Sequence, residues 1–87
     1  MQIDFHRGYL KAYDKLPQKI QIQAERRIAQ FIQNRKEAQL RDHALTGNLI
    51  GKRSFSVTGN YRIIYQEIEE EVVFLFIDIG THAKVYK

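Results

Sequence analysis

The strongest constraint on the fold is a run of six apolar residues near the C-terminal end, at positions 72–77. Glutamates at positions 69–71 precede the run and Gly80 follows it closely, so the apolar stretch has the length of one strand. A strand without polar alternation is typical of the middle of a sheet, where both faces are covered. The run is too short to cross a bilayer as a helix, which needs about 20 residues. The rest of the chain must therefore supply neighbouring strands and a covering layer.

The first half of the chain supplies the covering layer. Residues 2–5 alternate polar and apolar side chains, which predicts a short half-buried strand, and residues 7–15 have helical spacing. Pro17 is favourable at a first helical position, so it separates this short helix from a long one that we predict over residues 17–38. One stripe of the long helix is apolar and is predicted to face the core: Ile20, Ala24, Ile28, Phe31 and Ile32.

The second half supplies the strands. Turn-forming residues over 45–52 predict a loop, and a strand is expected over 53–58. Gly59 and Asn60 indicate a two-residue hairpin before a returning strand over 61–68, and the tail over 81–87 is expected to leave the sheet edge, with room for one more short extended segment. Helices followed by strands predict one α+β domain over residues 1–87: a short N-terminal strand, a two-helix hairpin and a three- to four-stranded, mainly antiparallel sheet.

The charge of the chain is unevenly distributed. There are 14 Lys and Arg against 10 Asp and Glu, and four of the acids lie together at positions 67, 69, 70 and 71. The remaining surface is therefore strongly basic, which suits a polyanion such as a nucleic acid, although many small soluble domains are also basic. The chain has no cysteine and its N-terminus does not resemble a signal peptide, so we expect a cytoplasmic protein with no membrane partner.

Two of the three histidines are candidates for proton transfer. His43 and His82 lie in predicted loops or element ends, beside glycine and basic residues, and off the apolar stripe. His6 has no motif around it and is interpreted as structural. No histidine pair has the His-x-x-x-His spacing of a zinc site, and the chain has neither a phosphate-binding glycine loop nor a Gly-x-Ser-x-Gly elbow. The alternative interpretation of His43 and His82 is ordinary surface histidines.

Two histidines, several arginines and a tyrosine are sufficient for RNA cleavage without a metal or cofactor. The RNA 2′-hydroxyl is itself the nucleophile, so the protein must supply a base, an acid and cations at the phosphate. Histidine can serve in either proton role near neutral pH, and arginine binds phosphate with two hydrogen bonds. This chemistry is possible with these residues but is not identified by them.

Three segments together resemble the RelE/ParE superfamily of bacterial toxins, and within it the YafQ branch. They are residues 40–48 with the motif Asp-His-x-Leu-Thr-Gly, residues 59–65 with Tyr-Arg-Ile-Ile-Tyr, and residues 80–86 with Gly-Thr-His-x-x-x-Tyr. The resemblance covers essentially the whole chain. It implies a RelE-like fold and a toxin of a type II toxin–antitoxin system. Such toxins are ribosome-dependent endoribonucleases, or mRNA interferases, that cut mRNA in the ribosomal A site and are neutralised by a cognate antitoxin.

The resemblance also implies roles for individual residues. His43 and His82 match the residues that transfer protons, Arg62 matches an arginine at the scissile phosphate, and Tyr86 matches an aromatic residue that positions the substrate. Our hypothesis makes His43 the base and His82 the acid. Further contacts with RNA are expected from Lys52, Arg53, Tyr61 and Lys84.

The chain departs from the YafQ pattern at three positions. Relatives often carry a histidine, an aspartate and a tryptophan where this chain has Ser56, Asn60 and Tyr61. Two alternatives to the nuclease therefore stay open. One is a ParE-like toxin that inhibits DNA gyrase by contact, which His43 and His82 argue against. The other is a degenerate family member that binds an antitoxin but no longer cuts RNA.

Overall fold

The structure is a computed structural model that describes residues 1–86, in which a single sheet carries helices on both faces. The strands are β1 (Gln2–Phe5), β2 (His43–Ala44), β3 (Arg53–Ser56), β4 (Tyr61–Glu69) and β5 (Val73–Thr81). The helices are α1 (Arg7–Asp14), α2 (Gln18–Gln33) and α3 (His82–Val85), with 3-10 turns at Ala38–Leu40 and Gly47–Leu49. None of the helices within residues 1–86 is long and apolar enough to cross a membrane.

The sheet has the strand order β1-β5-β4-β3-β2. Strand β5 contains most of the apolar run and lies between β1 and β4, which confirms its predicted central position. Strand β1 pairs with β5 in parallel, and the other neighbouring strands are antiparallel. The predicted α+β architecture is therefore confirmed, with four strands following the two-helix hairpin.

The two faces of the sheet differ in chemistry. Across β3 and β4, Ser54 lies opposite Ile64 and Ser56 opposite Arg62, so alternation places all four side chains on one face, here called the polar face. The other face is covered by α1 and α2 and holds the aromatic core. At its centre Phe31 of α2 stacks on Phe55 with ring centroids 4.8 Å apart. The edges of three further rings complete this cluster: Tyr65, Phe74 and Phe76.

Helix α3 packs on the polar face beside Gly80. A Cβ atom at Gly80 would lie 2.9 Å from Cδ of Lys84 and 3.4 Å from Cγ1 of Val85, so a larger residue there would displace the Lys84 side chain. Val85 is buried, and the Thr81 hydroxyl caps the helix by accepting a hydrogen bond from the Lys84 N–H. Since Gly80 pairs with Arg62 of β4, α3 begins next to that arginine.

The long helix is shorter than predicted. It ends at Gln33 rather than at 38, because Asn34 adopts an extended backbone and its side chain accepts a hydrogen bond from the Lys36 N–H. Asparagine side chains compete with helical hydrogen bonds in this way. Ile32 is 50% exposed and does not belong to the core, because it is rotated about 100° around the helix from the buried Phe31.

Three connections also differ from the prediction. The expected loop over 45–52 contains a 3-10 turn and is preceded by β2, which is too short to show a pattern. The connection between β3 and β4 spans residues 57–60, and neither Gly59 nor Asn60 has the positive φ that a two-residue type I′ turn needs. The tail forms α3 instead of an extended segment, and Lys87 lies outside the described residues.

The aromatic core generates a stability prediction. Phe31→Ala removes the ring at the centre of the cluster and should cost about 3–5 kcal/mol of unfolding free energy. Ile32→Ala, one residue later on the half-exposed side of the same helix, is the matched control and should cost far less. Urea unfolding followed by circular dichroism measures both. Equal losses for the two variants would contradict this description of the core.

Candidate active site

A surface cleft of about 340 Å³ lies on the polar-face side of the sheet. Strand β2 and the turn that follows it form one wall, and the start and end of α3 form the other. The lining residues are His43, Leu45, Thr46, Asn48, Leu49, His82 and Tyr86. The structure thus brings together three of the four residues with predicted catalytic roles, from segments far apart in sequence.

His43 is held in one orientation by a backbone carbonyl. It pairs with Ser54 across β2 and β3, so its side chain lies on the polar face, and its Nδ1 is 2.8 Å from the carbonyl oxygen of Arg41. A carbonyl can only accept a hydrogen bond, so Nδ1 carries the proton in this contact. In the neutral ring the exposed Nε2 then keeps its lone pair, which suits a proton acceptor.

The segment that carries His43 is clamped by its neighbour Asp42. The carboxylate of Asp42 accepts hydrogen bonds from Arg53 Nε at 2.8 Å and from the Tyr65 hydroxyl at 2.5 Å. Burial, and then the hydrogen bond to Asp42, raise the pKa of Tyr65, so the phenol keeps its proton and donates. Arg41 has a left-handed φ of 49°, a conformation that costs about 1–3 kcal/mol outside glycine. The clamp offsets this strain and fixes the carbonyl that orients His43.

Arg62 is not among the residues that line the cleft, and it is only 8% exposed. Its Nε donates to the Ser54 hydroxyl at 2.7 Å, and its Nη2 donates to the Arg41 carbonyl at 3.2 Å. That carbonyl is also the partner of His43. Arg62 is thus set back from the cleft lining with Nε and Nη2 bound to acceptors of the protein, and its role at the scissile phosphate stays a prediction.

His82 and Tyr86 are one turn apart on the other wall. The His82 ring packs edge-on against the Tyr86 ring, with centroids 4.3 Å apart and an interplanar angle of 78°. The Tyr86 hydroxyl shares a short hydrogen bond with the Ser54 hydroxyl, and the backbone N–H of His82 donates to the backbone carbonyl of Asn60 at 2.9 Å. These hydrogen bonds fix the Tyr86 ring and the backbone at the start of α3, while the His82 side chain stays exposed to solvent.

The four residues expected to make further RNA contacts lie outside this cleft. Tyr61 alternates with Arg62 along β4, so it lies on the helix-covered face and packs against the core. Arg53 is paired with Asp42 and lines a second cleft of about 280 Å³, and Lys84 is paired with Asp78 at 3.6 Å. Lys52 is half-buried in the turn before β3. Within residues 1–86, no group of three or more His, Asp or Glu side chains is placed to hold a metal ion.

Sequence reasoning missed Ser54 and Asp42. Ser54 is fully buried, and its alternation with Phe55 in β3 indicates the polar face, but its partner Tyr86 is 32 residues away. Asp42 directly precedes His43, and this adjacency was a usable signal. Its partners Tyr65 and Arg53 belong to two different strands and only the tertiary structure identifies them.

Two buried tyrosines provide a matched test of the Asp42 clamp. Tyr65→Phe leaves a buried carboxylate oxygen without its donor and should cost about 1–3 kcal/mol of unfolding free energy. Tyr9 is also buried, but its hydroxyl has no hydrogen-bond partner among residues 1–86, so Tyr9→Phe should be neutral or stabilising. In denaturant unfolding, the free energy of unfolding should fall for Tyr65→Phe and should stay the same or rise for Tyr9→Phe. An unaffected Tyr65→Phe protein would show that the clamp contributes nothing.

Comparison with known families and structures agrees with this fold. The family described as a bacterial toxin of type II toxin–antitoxin system, YafQ, matches residues 1–87. A search of curated proteins finds no match.

Solved structures of similar toxins cover nearly the whole chain. YafQ from E. coli strain BL21(DE3) has a TM-score of 0.79 and 23% identity, over 99% of this chain and 98% of that chain. YafQ in the E. coli DinJ–YafQ toxin–antitoxin complex has a TM-score of 0.76 and 26% identity, over 99% and 97%. The YoeB/ParE toxin from Agrobacterium tumefaciens has a TM-score of 0.77 and 14% identity, over 94% and 99%, which shows a shared fold. The chain therefore belongs to the YafQ family of bacterial toxins of type II toxin–antitoxin systems.

Proposed function

We propose that this toxin is a metal-independent endoribonuclease that cuts mRNA in the ribosomal A site. The observation that carries the proposal is the pair of histidines in one cleft, with Nδ1 of His43 bound to a carbonyl and Nε2 left to accept a proton. Cleavage of RNA by its own 2′-hydroxyl needs one base and one acid beside the phosphate. A toxin that inhibits its target by contact alone needs neither.

In the proposed reaction His43 is the base and His82 is the acid. Nε2 of His43 takes the proton of the 2′-hydroxyl as the 2′-oxygen attacks the adjacent phosphorus. The bond between phosphorus and the 5′-oxygen breaks, and protonated His82 gives its proton to the leaving 5′-oxygen. The products are a 2′,3′-cyclic phosphate and a 5′-hydroxyl end. The nucleophile comes from the substrate, so DNA is not cut.

Arg62 and Tyr86 support this reaction from different positions. Arg62 is a buried cation next to the cleft, and a fixed positive charge in a poorly solvated place stabilises the negative charge that develops on the phosphate. Tyr86 lines the cleft beside His82, where its ring can stack on a base of single-stranded RNA. In this proposal Arg62 acts on the phosphate through its electric field and its hydrogen bonds, and Tyr86 contacts the RNA base directly.

The proposed partners are the small ribosomal subunit with its mRNA and a cognate antitoxin, in the cytoplasm. A relative is bound to its antitoxin in the DinJ–YafQ complex. We propose that the antitoxin of this toxin covers the cleft and α3 in place. Displacing α3 would expose the buried Val85 and break the hydrogen bond between Tyr86 and Ser54, so covering the helix costs less free energy.

The histidine pair is tested by His82→Ala. The side chain is exposed, so the fold should persist, while loss of a general acid should lower the cleavage rate by about 10²–10⁴. Mapping the 5′ ends of transcripts in cells that express the toxin measures cleavage, and growth measures toxicity. His6→Ala is the matched control, because His6 caps α1 through its Nδ1 and does not line the cleft.

Two results would refute the proposal. A folded His82→Ala protein that cuts messages at the parent rate would exclude His82 from the chemistry. Growth arrest by the parent toxin with fully intact transcripts would instead favour inhibition by contact, as in the ParE-like alternative.

A further inference from the structure

We propose that Ser54 is a positioning residue that couples the buried Arg62 cation to Tyr86, so that the Tyr86 hydroxyl donates a hydrogen bond into the cleft. The acceptor would be a non-bridging oxygen of the RNA phosphate. The geometry stands alone, and only its catalytic consequence rests on the proposed nuclease function. Ser54 is fully buried in β3, with Arg62 Nε at 2.7 Å on one side and the Tyr86 hydroxyl at 2.5 Å on the other.

The donors and acceptors in the hydrogen bonds between Arg62, Ser54 and Tyr86 follow from the number of protons that each group carries. Arg62 Nε can only donate, so the Ser54 oxygen accepts from it. The single proton of Ser54 then needs an acceptor, because buried hydroxyl groups rarely stay unpaired. Within residues 1–86 the Tyr86 oxygen is the one partner left for it. Ser54 therefore donates to Tyr86, and the proton of Tyr86 is free for another acceptor.

The opposite direction leaves a polar group unsatisfied. If Tyr86 donated to Ser54, the serine oxygen would accept two hydrogen bonds and its own proton would be buried without an acceptor. Such a loss costs about 1–3 kcal/mol. The hydrogen bonds from Arg62 through Ser54 to Tyr86 give the Ser54 hydroxyl both a donor and an acceptor, and they end at a residue that lines the cleft.

This direction gives the tyrosine a chemical role beyond stacking. A donor that is bound to a cation through an intermediate hydroxyl is polarised, and hydrogen bonds in such chains strengthen one another. The Tyr86 hydroxyl therefore delivers part of the effect of Arg62 to the phosphate, although the guanidinium itself stays buried. His82 packs edge-on against the Tyr86 ring, so a shift of the tyrosine also changes the surroundings of the histidine.

A double-mutant cycle on ribosome-bound message tests the coupling. Tyr86→Phe and Ser54→Ala should each lower kcat by about 10- to 100-fold, the range for a hydrogen bond supported by charge, with little change in KM. The double variant should be no slower than Tyr86→Phe alone, since Ser54 acts through the tyrosine. Ser54→Thr keeps the hydroxyl and should restore much of the rate. The proposal would be overturned if the two losses of kcat multiplied in the double variant, or if the Tyr86→Phe protein kept the parent kcat.

Ser56→Ala is the matched control. Ser56 lies on the same strand and face as Ser54 and is also buried, but its hydroxyl donates to the Thr58 carbonyl. Its loss should leave kcat near the parent value. An equal fall in kcat for Ser56→Ala would show that both variants act only by destabilising the strand, and it would overturn the proposal. If Ser54→Ala does not fold, Tyr86→Phe decides alone, because it leaves the pair of Ser54 and Arg62 intact.

A second measurement does not depend on cleavage. The His82 ring lies 4.3 Å from the Tyr86 ring, so its proton chemical shifts report the position of the tyrosine. In the free toxin Ser54→Ala should move the His82 ring resonances, whereas Ser56→Ala and Ser54→Thr should not. Unmoved resonances in a folded Ser54→Ala protein would show that Ser54 does not position Tyr86. If the parent toxin does not cut RNA, the nuclease proposal fails and this measurement still decides the positioning role.

Discussion

The site depends on the hydrogen bonds that the buried guanidinium of Arg62 donates to the rest of the protein. A charge that leaves water is costly unless hydrogen bonds satisfy it, and the two acceptors of Arg62 come from different parts of the chain. One is the Ser54 hydroxyl of β3, which leads to Tyr86 after α3. The other is the Arg41 carbonyl, which also orients His43. Satisfying one cation therefore fixes both walls of the cleft relative to the sheet.

The helix-covered face of the sheet stabilises the fold, and the polar face carries the candidate site. The helix-covered face concentrates the large rings around Phe31, and this apolar cluster supplies most of the burial in a small domain. The polar face can then hold buried serines and an arginine, because their side chains are hydrogen-bonded within the protein. Asp42 links the two faces, since Tyr65 and Arg53 hold it from the core side while His43 beside it lies in the cleft.

Much of this arrangement could be predicted from the sequence, because some signals are local. The apolar run predicted the position of β5, Pro17 separated α1 from α2, and the motifs around His43 and His82 singled out two histidines that line one cleft. The core position of Ile32 was wrong, and the predicted hairpin between β3 and β4 has a four-residue connection instead of a two-residue turn, since helix rotation and turn dihedrals depend on packing. The burial of Arg62 and the contact of Ser54 with Tyr86 join residues distant in sequence, so no local pattern contains them.

The central claim is that the substrate supplies the nucleophile and the two histidines move its protons. The most direct test is a message with a single 2′-deoxynucleotide immediately 5′ of a mapped cleavage position, presented in the ribosomal A site to the purified toxin. Cleavage at that position should stop, and the unmodified message should yield 2′,3′-cyclic phosphate and 5′-hydroxyl ends. Continued cutting of the deoxy-substituted message, with 5′-phosphate ends, would contradict the claim.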